Sequence, residues 1–133
     1  MIKIQFEQKI VYAVIATGVV LSLIQFVINR SLWLDEAMLA LNIINKDSFE
    51  LLQPLDDIQV APILFLQIEK ILSTLIPNSE YGLRLLPLIS FWGALYFFYK
   101  ILKLKFKTTL PIILALALFS FNEIVLYYSS CLL

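Results

Sequence analysis

The chain has 133 residues, 61% of them hydrophobic and 15% charged, with a mean hydropathy of +0.90. Soluble domains average about 45–50% apolar and about 25% charged residues, so a water-soluble domain of this size is excluded and a bilayer is the simplest solvent. Ten Lys+Arg balance ten Asp+Glu, His is absent and Cys131 is the single cysteine; no nucleic-acid partner is expected, and a histidine base, an internal disulfide and a cysteine-rich metal site are excluded.

Residues 10–28, "IVYAVIATGVVLSLIQFVI", run without a charge. A helix over them covers roughly 28 Å, enough to cross the hydrocarbon core. The run is longer than a signal-peptide core and no small-x-small cleavage site follows, so it reads as an uncleaved first span. A second span is predicted over 85–102, with Lys100 near one end. A third is predicted over 108–128, with Glu123 its one charge. Pro87 and Pro111 fall near the beginnings of these spans, where a missing amide costs least. The fold class is therefore all-α: a polytopic membrane protein of three transmembrane helices.

Lys3 and Lys9 precede span one, and Lys100, Lys103, Lys105 and Lys107 crowd the link between spans two and three. Segment 29–84 carries four basic residues against eight acidic ones. The positive-inside rule then places the N-terminus in the cytoplasm, with loop 29–84 and the C-terminus outside. A bacterial inner membrane is the expected location. The Asn29-Arg30-Ser31 match to an N-glycosylation signal abuts span one and is too short a pattern to favour the endoplasmic reticulum.

Two juxtamembrane helices are predicted in the outside loop. The first, "DEAMLALNIINK", has Met38, Leu39, Leu41, Ile43 and Ile44 on its apolar side and Asn42 and Asn45 toward water. Its adjacent acids Asp35 and Glu36 allow two readings, helix capping in the first turn or catalysis. The second helix starts at Pro62, "PILFLQIEKILSTLI". Leu64, Phe65, Ile68, Ile71, Leu72 and Leu75 line its apolar side, and Gln67, Glu69, Lys70, Ser73 and Thr74 supply the polar remainder. It is too short and too polar to span, and is expected to lie in the interfacial plane.

Between these helices Asp56 and Asp57 are either solvated loop acids or ligands to a divalent cation, which takes hard oxygen donors. Arg84, where the chain re-enters the membrane, runs against the positive-inside trend and calls for a partner, a loop carboxylate or a lipid phosphate. Glu123 is either a functional intramembrane acid or one that snorkels to the outer interface.

The first span followed by "LWLDEA", the two loop helices, "EYGLRLLP" entering span two and "LYYSS" ending span three together resemble the N-terminal part of GT-C membrane glycosyltransferases. The likeness is to the dolichyl-phosphate-mannose-protein mannosyltransferase and aminoarabinose transferase branch, and it covers about residues 11–130. It implies inverting transfer of a sugar from a polyprenyl-phosphate donor at the outer membrane face. Asp35 then matches the residue that positions or deprotonates the acceptor, with Glu36 as its acidic support. Arg84 is the candidate for the charge that meets the leaving phosphate; metal dependence stays open. The chain departs from the family at Val60-Ala61-Pro62, where relatives show Pro-Pro, and after "YYSS", where Cys131-Leu132-Leu133 replaces an acid, a base and a Tyr.

The resemblance thus predicts a truncated N-terminal segment, inactive alone, that carries the acidic pair of a glycosyltransferase site. Two other readings stand beside it: a non-enzymatic small membrane protein that packs on a multispan membrane partner, and a transporter fragment, which would call for broken half-helices.

Overall fold

A computed structural model describes residues 2–76 and 79–132, and among them every regular element is helical. Six α-helices follow one another: α1 (Ile2–Ile28), α2 (Leu34–Asn45), α3 (Ile63–Leu75), α4 (Ser79–Lys105), α5 (Thr109–Ser120) and α6 (Glu123–Tyr128). Two 3-10 turns, Glu50–Leu52 and Asp56–Ile58, punctuate the segment between α2 and α3.

Among the described residues, two helices are long and apolar enough to cross a membrane, over Phe6–Ile28 and Glu80–Lys105. Both extend beyond the predicted spans. Continuous apolar content with good helix formers lets each helix run on into its charged flanks, where Lys103 and Lys105 complement the negative end of the α4 dipole. Pro87 consequently lies inside α4 and not at its start. Its ring nitrogen cannot donate, so the Leu83 carbonyl loses its helical partner there.

The segment predicted as a third span divides into two helices. α5 has 12 residues, about 18 Å of rise against about 30 Å of hydrocarbon. Phe121 leaves the helical pattern, and the Asn122 side chain accepts from the Val125 amide at 3.1 Å to start α6. An asparagine cap followed by Glu123 in the first turn is favourable helix-start chemistry, and it outweighs the unbroken hydropathy around it.

Two apolar cores are strung along α4. One joins α1, α4 and α5 through Val11, Leu95, Leu102, Ile112 and Leu116. The other gathers Leu39, Ile43, Leu51, Leu66, Leu83 and Leu132 from α2, the 3-10 turns, α3, α4 and the segment after α6. Glycine permits both close approaches. A Cβ on Gly18 would stand 2.9 Å from the Ser120 Cβ of α5, and one on Gly82 would stand 2.9 Å from the Ser73 Cα of α3. Gly18 is therefore a packing position, while Gly93 faces open space.

The sides predicted to be polar in the two loop helices are partly buried. In α2, Asn42 is buried: its Oδ1 accepts from the Asp56 amide at 2.9 Å and its Nδ2 donates to the Met38 carbonyl at 3.0 Å. Leu41 and Ile44 face outward instead. In α3, Leu66 and Glu69 point inward, leaving Leu64, Ile71 and Leu75 exposed. Hydrogen bonds from Lys70 to the Ile44 carbonyl and from Gln67 to the Ser48 carbonyl tie α3 to the end of α2 and the turn beyond it.

Candidate functional site

The site is built around the first turn of α2. Trp33 is its N-cap in extended conformation, and Glu36 folds back so that Oε2 accepts from the Trp33 amide at 2.9 Å. This is half of a capping box; indole has no oxygen to return the bond. The other carboxylate oxygen of Glu36 accepts from the Leu132 amide at 3.0 Å. Glu36 is 6% exposed, so two otherwise unsatisfied amides are held by one buried acid.

Asp35 is different. It is exposed and has no hydrogen bond or ion pair among the described residues, and its side chain helps line an open cleft of about 440 Å³. Trp33, Glu36, Tyr127 and Tyr128 complete the wall. The two readings of the acidic pair are thus divided between its members: Glu36 caps and tethers, and Asp35 is left free over the cleft.

Arg84 is 2% exposed. It donates from Nη1 to the Ser130 carbonyl at 2.6 Å and from Nη2 to the Arg30 carbonyl, while Nε has no partner among the described residues. Its partners are therefore main-chain carbonyls, and Arg84 is not among the residues lining the cleft. The guanidinium clamps the end of α1 to the segment after α6, and so brings "WLDEA", "RLLP" and "YYSS" to one place. Arg30, by contrast, is exposed and lies over the Tyr127 ring, 5.4 Å from its centroid.

Cys131 is buried beside this clamp. Burial pushes its thiol above the ordinary range, and the nearby Glu36 carboxylate adds to that, opposed by a hydrogen bond with Tyr127 and by the Arg84 charge. A protonated, enclosed thiol is a poor nucleophile.

The remaining candidates lie elsewhere. Asp56 pairs with Lys46 at 3.0 Å and so fastens its turn to the end of α2. Asp57 is exposed with a φ of 57°, and Ile58 follows at 59°, a left-handed pair that is costly for a β-branched residue. Among the described residues no three Asp, Glu, Cys or His side chains gather as a metal site, these two included. Glu123 is exposed in the first turn of α6, where an acid complements the helix dipole. The Asn29 amide of the Asn-Arg-Ser match donates to Glu80 at 2.9 Å.

Nothing in the sequence beyond the motifs themselves singles out Trp33, Tyr127, Tyr128 and Arg30. Their aromatic crowding next to acids was the available signal. Among known proteins, no family model, curated protein or solved structure matches the chain.

Proposed function

We propose that this chain contributes the acceptor-activating wall of a membrane glycosyltransferase of the GT-C kind, using a polyprenyl-phosphate-linked sugar. In this reading α1, α4 and the paired helices α5 and α6 cross the bilayer, with α2 and α3 on the outer face of a bacterial inner membrane. The exposed apolar stripe of α3 (Leu64, Ile71, Leu75) suits a helix resting at the interface. The lysine-rich ends of α1 and α4 suit the cytoplasmic side.

The observation that carries the reading is Asp35, an unpaired carboxylate at the edge of an aromatic cleft beside a buried, fully engaged neighbour. An acceptor hydroxyl or amine attacking an anomeric carbon needs a base, and Asp35 has the free lone pairs to take the proton. Trp33, Tyr127 and Tyr128 offer ring faces to a sugar, polar at the edge and apolar in the middle. The leaving phosphate needs positive charge. With Arg84 buried, that part passes to Arg30, while Arg84 positions the cleft walls. The cleft is open, and enclosing a lipid-linked donor calls for further helices.

The test is Asp35→Asn, with sugar transfer from a polyprenyl-phosphate donor measured in membranes that carry the chain in its native context. Loss of a positioned base is expected to lower transfer about 10²–10⁴-fold. Membrane expression should stay unchanged and stability should fall by no more than about 1 kcal/mol, the contribution of a first-turn acid to the helix dipole, because Asp35 has no hydrogen bond or ion pair to lose among the described residues. Unchanged transfer rejects the assignment.

A further inference from the structure

The opposite end of the α1–α4–α5 bundle holds a second arrangement that the glycosyl-transfer reading does not use. A groove of about 430 Å³ runs between α1 and α4, within the range of about 300–1,000 Å³ typical of ligand pockets. Its floor is apolar, formed by Ile15, Val19, Trp92 and Leu95. Its mouth is not: Tyr12, Tyr99, Lys100 and Lys103 gather there. A second groove of about 450 Å³ shares Tyr99 and Lys103 and adds Lys107, Thr108 and Thr109.

The lysines are held in place without being neutralised. Lys100 lies 5.5 Å from the centroid of Tyr96, and Lys103 lies 5.6 Å from that of Tyr99. Both are exposed, and among the described residues neither ammonium meets a carboxylate. Tyr12 and Tyr99 make an edge contact at 6.4 Å across the groove mouth. The floor is equally ordered. The Trp92 indole donates to Ser22 Oγ at 3.0 Å, and Ser22 in turn donates to the Val19 carbonyl at 2.8 Å.

The depth fits a lipid of one leaflet. From Trp92 to Lys103 α4 rises roughly 16 Å, about half of the roughly 30 Å hydrocarbon thickness, which is the depth of one leaflet. We propose that this groove binds one anionic phospholipid of the cytoplasmic leaflet. An acyl chain lies on Ile15, Val19, Trp92 and Leu95, and the phosphodiester oxygens accept from Lys100 and Lys103 and from the tyrosine hydroxyls. A partner helix fits less well, since covering the mouth would bury two ammonium groups without acids to meet them. The inference rests on α1 and α4 crossing the bilayer, as proposed above, and is independent of the chemistry at Asp35.

Trp92 is a built-in reporter. In a Trp33→Phe background it is the one tryptophan left, and phospholipids with brominated chains quench an indole they touch. The chain is reconstituted with brominated phosphatidylglycerol or, separately, brominated phosphatidylcholine. The anionic lipid is expected to quench Trp92 more strongly. Each of Lys100→Gln and Lys103→Gln should lower relative affinity for it about five-fold, and Lys→Arg at both positions should restore the preference.

Equal quenching by both lipids with the lysines intact overturns the proposal. So does absence of quenching by either while the chain resists alkaline carbonate extraction, which would mean that protein fills the groove. Absence of quenching with release by carbonate would reject the bilayer-spanning reading itself and this site with it.

Discussion

At the scale of single residues, adjacent acids have opposite fates. Glu36 and Asp35 are neighbours, yet one is enclosed with both oxygens bonded and the other is open to the cleft. Helix periodicity alone could not separate them, because the bond that draws Glu36 inward comes from Leu132, 96 residues away. Glu69 shows the same limit more sharply. Its place among polar residues of α3 suggested solvent, but it is fully buried and neither carboxylate oxygen has a partner among the described residues. Burial raises it from 4.5 to about 8. The folded chain therefore keeps this proton through neutral pH, while the unfolded chain loses it near 4.5. The stability involved is fully present below about 4.5 and is lost as pH rises through about 8. Thermal unfolding in detergent should show a midpoint that falls between about pH 5 and about pH 8, and Glu69→Gln should flatten that fall and raise the midpoint above neutrality. A slope identical in the two chains would mean that Glu69 does not carry it.

At the scale of elements, composition was a good guide to where helices lie and a poor guide to where they stop. α1 and α4 were legible because about twenty apolar residues in a row have few alternatives to a helix. The interruption at Phe121–Asn122 was not, since hydropathy averages over one asparagine while capping depends on it. The burial of Asn42 in α2 was not legible for a related reason: periodicity does not register a partner such as the Asp56 amide, 14 residues away, that draws a polar side chain inward. The α3–α4 crossing turns on Gly82, quoted only as part of "EYGLRLLP". Gly82→Val would drive new carbon atoms into the Ser73 and Leu72 backbone, which cannot rotate away. We expect a loss of about 1–3 kcal/mol, read as a lower unfolding midpoint, whereas the same change at Gly93 should cost less because nothing lies within 4 Å. Equal losses at the two sites would show that helix propensity, not the crossing, sets the cost.

At the scale of the whole molecule, α4 links two unlike ends, a lysine-rich one and one that carries the acidic pair, Arg30 and the aromatic cleft. The proposed topology makes a direct prediction. In a Cys131→Ser background, an impermeant maleimide should label Gln53→Cys in intact cells and Lys105→Cys only after permeabilisation. The reverse pattern would invert the molecule in the membrane. The Glu36–Leu132 contact also has a consequence in time. At synthesis rates of about 5–20 residues per second, the 96 residues separating these groups take roughly 5–20 s to emerge. Throughout that interval α2 has its first turn but not its anchor, and Arg84, once made, lacks for the next 46 residues the Ser130 carbonyl that it clamps. The nascent chain is therefore left with a carboxylate and a guanidinium that water, lipid headgroups or the insertion machinery must attend to, and the cleft takes shape only once α6 and the segment after it have been made.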